Sequence, residues 1–358
     1  MINEELLKSL VNANGIAGHE QEIFKIMEEE VKDSVDEITS DNLGSFIARI
    51  GDKGPKIMLA SHMDEVGFVV KHIDDNGFIS FVPVGGWWNQ VMLAQKVRIT
   101  TRDNKTYDGV IGSKPPHVLS VEERKKPVEI DDMFIDLGVY SKEEVQNLGI
   151  KPGDMITPVG GYQKLANKDF VLGKAFDNRI GCYIICEVLK RLGNDRNNEA
   201  TIYGVSTVQE EIGLRGASTS SNLINPDIAI AVDTGIAGDT PKMTRKESMS
   251  DLGEGPQIMV LDGTTFGHVG LREKMLEVAN KHGIKIQLDF TPGGGTDAGK
   301  MHLAHDGAPG MSISIATRYI HSHLSIINLK DVEALIDLLV AFCQVINEET
   351  YKEIKGIK

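Results

Sequence analysis

A predicted buried strand that ends in two adjacent carboxylates constrains this chain more than any other feature. Residues 200–208 form an apolar run, and Glu210 and Glu211 follow at its end. Neighbouring side chains on a strand point to opposite faces, so the two acids can serve different purposes. Two adjacent buried acids lose hydration and repel each other unless protons or metal ions compensate them. The pair therefore predicts a chemical site at the end of this strand.

Three other β-rich runs also end in residues that can bind a metal. They are residues 57–61 before His62 and Asp64, residues 228–232 before Asp233, and residues 312–316 before His321. In addition, Asp177 begins a predicted helix. In an open α/β sheet, the carboxyl ends of neighbouring strands border one crevice. Two imidazoles and several carboxylates in such a crevice are the ligand set of a dinuclear metal hydrolase.

The order of predicted elements indicates an α/β fold that is interrupted by a β-rich insertion. Helices are predicted at 3–13, 19–35, 141–148, 177–192, 215–223, 268–282, 297–305 and 329–352, with a hairpin turn at 41–44. Between residues 68 and 165, short strands alternate with turns, which is typical of a small β-barrel or sandwich. We therefore predict a mixed, mostly parallel sheet covered by helices, formed by residues 1–67 and 166–358. A small β-barrel domain is predicted at residues 68–165.

Composition excludes several other classes of protein. The formal net charge of −14 over 358 residues argues against nucleic acid as the main ligand. Apolar runs fall short of the roughly 18 residues that a membrane span needs, and the N-terminus resembles no signal peptide, which favours a cytoplasmic location. Cys182, Cys186 and Cys343 lie in apolar helical patterns and are interpreted as reduced core residues.

Six segments, in this order, resemble a single enzyme family. They are residues 61–67 (SHMDEVG), 174–179 (KAFDNR), 208–217 (VQEEIGLRGA), 231–235 (AVDTG), 293–298 (GGGTDA) and 318–322 (RYIHS). Together they resemble the tetrahedral, dinuclear metallo-aminopeptidases of the glutamyl and deblocking type, some of which were once labelled cellulase M. The resemblance extends from the first predicted helix to the last and includes the insertion.

The resemblance implies a role for each matching residue. The implied ligands are His62 and Asp233 for one metal, Glu211 and His321 for the other, and Asp177 as the bridge. Glu210 would be the general base. Asp64 would be the partner of the second ring nitrogen of His62. The peptide bond between Asp177 and Asn178 would be cis, as in relatives of the family.

The implied activity is that of an aminopeptidase that removes N-terminal residues from oligopeptides. It would use two divalent metal ions per chain, and ligands without thiolate favour Zn, with Co or Mn as alternatives. Glu210 would take a proton from a water activated by the two metals. The insertion would be a dimerisation domain, and six dimers would close into a homododecamer of tetrahedral shape.

Three other functions remain open on the sequence. A carboxypeptidase or an amino-acid deacylase would use the same dinuclear site. A metal-independent glycosidase would need only two carboxylates and would leave His62, His321 and Asp233 without a purpose. A metal-stabilised assembly protein would show no turnover.

Two further expectations concern the substrate and the insertion. By the family resemblance, the strand at 257–261 lies near the region that lines the substrate pocket. It offers no cation for an acidic substrate, so we expect a preference for neutral or apolar N-terminal residues. Trp87 and Trp88 are adjacent within the insertion, where they are either interface anchors or part of the insertion's own core.

Overall fold

The computed structural model describes residues 2–356. The N-terminal part contains two helices and three strands: α1 (Glu4–Asn12), α2 (Gln21–Val31), β1 (Glu37–Ser40), β2 (Phe46–Ile50) and β3 (Lys56–His62). The first two strands form an antiparallel hairpin in which Ser40 pairs with Phe46. The carboxylate of Asp41 accepts hydrogen bonds from the amides of Leu43 and Gly44, which fixes the turn. The predicted hairpin is confirmed.

The insertion contains a closed six-stranded barrel, as predicted. Its strands are β4 (Gly67–Ile73), β5 (Ile79–Val84), β6 (Lys96–Thr100), β7 (Thr106–Gly112), β8 (Phe134–Asp136) and β9 (Met155–Pro158). Buried apolar side chains, among them Phe68 and Ile99, fill its interior. The helix α3 (Lys142–Asn147) begins at Ser141, whose hydroxyl accepts a hydrogen bond from the amide of Glu144. The dimerisation role of the barrel, and the domain limits at 68 and 165, stay predictions.

The remaining chain alternates strands and helices. Its elements are β10 (Gln163–Lys164), β11 (Phe170–Gly173), α4 (Phe176–Asp195), β12 (Thr201–Thr207), α5 (Arg215–Ile224), β13 (Ile228–Ile236), β14 (Gln257–Asp262), α6 (Val269–Lys281), β15 (Gln287–Thr291), α7 (Ala298–Met301), β16 (Gly310–Thr317), β17 (Ser325–Asn328), α8 (Leu329–Val345) and α9 (Glu348–Lys355). The strands β10, β11 and β17 form a small antiparallel sheet.

One eight-stranded sheet organises the chain outside the barrel, in the order β1-β2-β12-β3-β13-β16-β14-β15. The four central strands β12, β3, β13 and β16 are parallel to one another, whereas the pairings β1–β2, β2–β12 and β16–β14 are antiparallel. The helices α1, α4 and α8 pack with one layer of the core, and α5 and α7 with a second. The predicted mixed α/β sheet with helices is confirmed. Its parallel centre brings four strand ends to one edge.

Two predicted helices are wrong in extent. The helix predicted at 297–305 is a single turn, Ala298–Met301. The helix predicted at 329–352 is two helices, because Asn347 starts a new one after Val345. The Asn347 side chain accepts hydrogen bonds from the amides of Glu349 and Thr350, and the Thr350 hydroxyl accepts one from the Asn347 amide. This capping box stabilises the start of a second helix, so the first helix does not continue through Asn347.

Other sequence expectations are resolved by burial. The three cysteines are free and buried, as predicted. Trp87 is half-buried and stacks on Phe68 with ring centroids 4.7 Å apart, so it belongs to the barrel core. Trp88 is 61% exposed, and its interface role stays a prediction. Within residues 2–356, no helix combines the length and the apolar character that crossing a membrane would require.

Candidate metal centre

The side chains predicted to bind metal meet at the carboxyl edge of the parallel strands. His62 ends β3, Glu210 and Glu211 follow β12, and Asp233 lies within β13. His321 follows β16, and Asp177 is the second residue of α4. All six line one cavity of about 720 Å³. The topology therefore brings together residues that are far apart in sequence, as expected for strand ends in an open sheet.

Asp177 lies between the two histidines. Its Oδ1 lies 3.2 Å from Nε2 of His62, and its Oδ2 lies 3.3 Å from Nε2 of His321. The peptide bond between Asp177 and Asn178 is cis, which confirms the expectation. The Asn178 side chain donates to the carbonyl oxygen of Val232, next to Asp233. One carboxylate thus faces both imidazoles, with a different oxygen toward each.

Backbone carbonyl groups orient both imidazole rings. Nδ1 of His62 lies 3.0 Å from the carbonyl oxygen of Asp64, and Nδ1 of His321 lies 2.8 Å from that of Gly86. A carbonyl oxygen only accepts, so Nδ1 carries the proton in each ring. Nε2 of each ring therefore faces the cavity and is the nitrogen that would bind a cation there in exchange for a proton. Asp64 was predicted to orient His62, and the contact is closer through its carbonyl than through its carboxylate, at 3.5 Å.

The carboxylate of Asp64 instead holds the acidic pair. Its two oxygens accept hydrogen bonds from the amides of Glu210 and Glu211, at 3.0 and 3.1 Å. The preceding Gln209 has a φ of 57°, in the left-handed region that a residue other than glycine adopts at a cost. The carboxylate of Glu20 accepts the Gln209 amide at 3.0 Å and stabilises this turn. Asp64 and Glu20 therefore fix the backbone that carries Glu210 and Glu211.

Metal-capable atoms are close enough to share cations. Nε2 of His62 lies 3.8 Å from Asp233 Oδ1 and 3.9 Å from Glu210 Oε2. Nε2 of His321 lies 3.7 Å from Glu211 Oε2. Two groups of three residues in this site have their ligand atoms within 4.8 Å of one another. The first group is His62, Asp177 and Glu211, and the second is His62, Glu210 and Asp233.

Burial disfavours the ionised forms of the carboxyl groups in this cluster when no cation is bound. Burial and repulsion from Asp177 raise the pKa of Glu211 and that of Asp233 to about 8. Burial, together with Asp233 and Asp297, raises the pKa of Glu210 well above its ordinary value. Although burial would lower the pKa of His321, Asp177 and Glu211 raise it to about 9. The site therefore attracts protons or cations.

The unsatisfied atoms of the site fit a metal. Oε1 of Glu211 and Oδ1 of Asp297 are buried and have no hydrogen-bond partner in the part of the chain that the structure describes. Buried acceptors without partners are rare in folded proteins and point to an ion or water. Oxygen and imidazole donors without thiolate suit Zn, Co or Mn. The donor set thus fits the divalent cations that the sequence implied.

Sequence reasoning missed two acids near this centre. Asp297 is 1% exposed and accepts a hydrogen bond from the Thr207 hydroxyl at 2.5 Å, and burial raises its pKa to about 7. Burial and the charge of Asp64 raise the pKa of Glu20 to about 7. Asp297 lies in the segment 293–298, which contributes to the family resemblance but had no role assigned to any of its residues. Glu20 carried no local signal, because its partner Gln209 is 189 positions away.

The cavity extends beyond the acids. The glycine-rich loop at Gly294 and Gly295 and the side chain of Met259 line it. Asp262, from the end of β14, and Lys300 also line the cavity, so it has one further acid and one lysine besides the metal-capable cluster. Both groups lie outside residues 257–261, from which the substrate preference was predicted. The expected preference for neutral or apolar residues stays a prediction.

Known proteins resemble this chain along almost its whole length. Residues 44–338 match a family model described as M42 glutamyl aminopeptidase. The putative aminopeptidase FrvX of Escherichia coli (strain K12) is 41% identical over 348 residues, which cover 97% of each chain. The TET aminopeptidase of Thaumarchaeota archaeon SCGC AB-539-E09 is 40% identical with a TM-score of 0.95, over 99% of this chain and 98% of that one. The Pyrococcus horikoshii TET1 peptidase, described as assembling into a tetrahedron or a large octahedral shell, is 32% identical with a TM-score of 0.87, over 96% of this chain and 99% of that one.

The raised pKa values predict how the metal-free protein responds to pH. The folded pKa values are about 8 for Glu211 and Asp233 and about 7 for Asp297 and Glu20, whereas unfolded carboxyls titrate near roughly 4. From pH 6.5 to 8 the folded state therefore holds more protons, and its stability falls as the pH rises. Buried His323, whose pKa burial lowers to about 4, opposes this trend, and its effect fades as the pH rises above the unfolded value of roughly 6.5.

Calorimetry in chelator should thus show an unfolding temperature that decreases from pH 6.5 to 8. Saturating Mn²⁺ should remove most of the decrease, because cations replace the protons. A metal-free unfolding temperature that rises over this range would contradict the charge balance described for the site.

Proposed function

This chain belongs to the M42 glutamyl aminopeptidase family, and from that premise we propose a metal-dependent aminopeptidase that removes N-terminal residues from oligopeptides. The observation that carries the proposal is the placement of Asp177, with one oxygen toward His62 and the other toward His321. A carboxylate in this position is suited to two cations. The proposal accounts for both histidines and for Asp233, which a glycosidase would leave unused.

We assign five side chains to hold two divalent cations. His62 and Asp233 would bind one, Glu211 and His321 the other, and Asp177 both. The cations, when bound, would supply an acidified water and a polarised peptide carbonyl. The pKa values of Glu211 and Asp233, raised to about 8 by burial, support this assignment because those protons would be exchanged for metal.

Glu210 is proposed as the general base. Its amide is fixed by Asp64, and its side chain is 10% exposed at the cavity wall. The pKa of Glu210, raised by burial and by neighbouring acids, suits a group that takes up and releases a proton. Its carboxylate would accept the proton of the attacking water and return it to the nitrogen of the leaving amine. Asp64 and Glu20 are proposed as positioning residues, since both hold the backbone of residues 209–211.

Product identity and the variant Glu210→Gln test this proposal together. The metal-loaded enzyme should release the N-terminal residue of an unblocked tetrapeptide, detected by mass spectrometry. Glu210→Gln should keep its metal and lose roughly 10²-fold or more in turnover, because it keeps the shape but cannot carry the proton. Release of C-terminal residues would support the rival carboxypeptidase. Near-wild-type turnover with intact metal content would refute the assignment of Glu210 as the general base. Loss of metal from the Glu210→Gln variant would indicate that Glu210 is a metal ligand.

Metal content distinguishes the bridge from a terminal ligand. Asp177→Ala should lower the occupancy of both sites, because one carboxylate serves two cations, whereas His321→Ala should mainly empty one. Metal analysis after dialysis measures both variants against the wild type. Retention of two metals per chain in Asp177→Ala would show that the bridging role is wrong.

We also propose that the barrel forms dimers and that six dimers assemble into a dodecamer. Exposed apolar side chains on the barrel, including Val118, Val121 and Tyr140, supply interface candidates. Light scattering of the metal-loaded enzyme should give a mass of about twelve times the chain mass of 39.2 kDa. Chelation should release dimers first. A strictly monomeric, fully active enzyme would contradict the assembly but not the chemistry.

A further inference from the structure

A second recess opens beside the candidate metal centre. It is lined by residues of three segments, 86–95, 236–243 and 317–324, and has a volume of about 830 Å³. We call it the Trp88 groove. Gly86, Ile236, Ile320 and His321 line both the groove and the metal-site cavity, so the two spaces adjoin. The groove therefore begins at a proposed metal ligand.

The two recesses have separate far walls. Met259, Thr264 and the glycine-rich loop at Gly294 belong to the cavity and do not line the groove. Trp88 and Met243 belong to the groove and do not line the cavity. An enzyme that cuts a peptide between its first and second residues needs one space on each side of the reacting carbonyl. The cavity offers the first, and the groove offers the second.

The groove wall is largely apolar and aromatic, and apart from His321 at its border it has no unpaired charged side chain among the described residues. Trp88 is 61% exposed and Tyr319 is 57% exposed, so both rings offer open faces. The groove's guanidinium, on Arg318, is already paired with Asp239 through hydrogen bonds of 2.8 and 2.6 Å. Flat aromatic faces without a net charge suit apolar side chains and peptide planes more than phosphates or carboxylates.

His323 adds an unsatisfied polar group to this wall. It is 3% exposed, and neither of its ring nitrogens has a hydrogen-bond partner among residues 2–356. Its ring lies edge-on to Trp87, with centroids 5.3 Å apart. A buried ring without partners is costly unless some group binds it. A peptide N–H or C=O in the groove could supply that hydrogen bond after a small rotation of the ring.

We propose that the Trp88 groove binds the part of the substrate that follows the scissile bond, as an extended, uncharged oligopeptide with an apolar residue near its start. The proposal rests on the aminopeptidase function proposed above. It predicts that the enzyme discriminates substrates by length, because a dipeptide reaches only the beginning of the groove. Longer peptides gain contacts with Trp88, Met243 and His323.

Kinetics with two peptides test the groove in the full-length, metal-loaded enzyme. The probes are Leu-Ala and Leu-Ala-Phe-Ala-Ala-Ala, and the quantity is the ratio of kcat/KM for the hexapeptide to that for the dipeptide. Trp88→Ala and Met243→Ala should each lower this ratio, Trp88→Ala by roughly tenfold and mainly through a higher KM. The control is Leu223→Ala, because Leu223 is 59% exposed on α5 and does not line the groove. It should leave the ratio unchanged.

Fluorescence gives a readout that does not depend on turnover. The chain contains two tryptophans, and both line the groove, so all tryptophan emission comes from this wall. The hexapeptide should change the tryptophan emission of the Glu210→Gln variant in a saturable way. This change should be smaller in the double variant that also carries Trp88→Phe. If the wild type cleaves neither peptide with metal present, the proposed function fails. The groove proposal fails if the wild type cleaves both peptides, the variants keep the wild-type ratio of kcat/KM values, and the hexapeptide does not change the tryptophan emission. The groove proposal also fails if Trp88→Ala changes only the assembly state, because a second copy then covers the groove.

Discussion

Repulsion among buried carboxylates is the constraint on which this structure depends. Asp177, Glu210, Glu211 and Asp233 surround two imidazoles at one sheet edge, with Asp64 and Asp297 fully buried behind them. Such a group of acids is unstable in a protein interior unless cations or protons neutralise it. The unpartnered oxygen of Glu211 and the orientation of both Nε2 atoms favour cations. The fold therefore maintains a site that divalent cations would stabilise.

A second buried network holds the segments that carry these acids. The guanidinium of Arg179, which is 0% exposed, donates to the carbonyl oxygens of Met63, Leu10, Ala13 and Gly15. Glu65 balances its charge at 3.2 Å and also accepts a hydrogen bond from Lys174 at 2.6 Å. This network ties the end of β3 to the start of α4, so it fixes His62 relative to Asp177. Breaking one partner of a fully buried charge network costs several kcal/mol, of the order of 3–5.

Local signals predicted most of the framework and the site but not the contacts between distant segments. Apolar runs that end in His62, Glu211 or Asp233 indicated strand ends, and their convergence followed from the geometry of a parallel sheet. The predicted approach of the Asp64 carboxylate to the His62 ring is present at 3.5 Å. The hydrogen bonds of the same carboxylate to the amides of residues 210 and 211 were not predicted, because only the folded chain brings these amides to it. Spacing cannot reveal such partners. The break at Asn347 was missed for another reason. Asn347 and Thr350, which form the capping box, are close enough in sequence to be recognised, but the apolar periodicity of residues 329–352 favoured one continuous helix.

Anomalous diffraction from crystals loaded with Mn²⁺ tests the central claim most directly, because it locates each cation independently of activity. The claim is that Asp177 joins two metal sites, one at each histidine. We expect two peaks per chain, one next to Nε2 of His62 and Oδ1 of Asp177, and the other next to Nε2 of His321 and Oδ2 of Asp177. A single peak at saturating Mn²⁺, or a second peak away from Asp177, would contradict this claim.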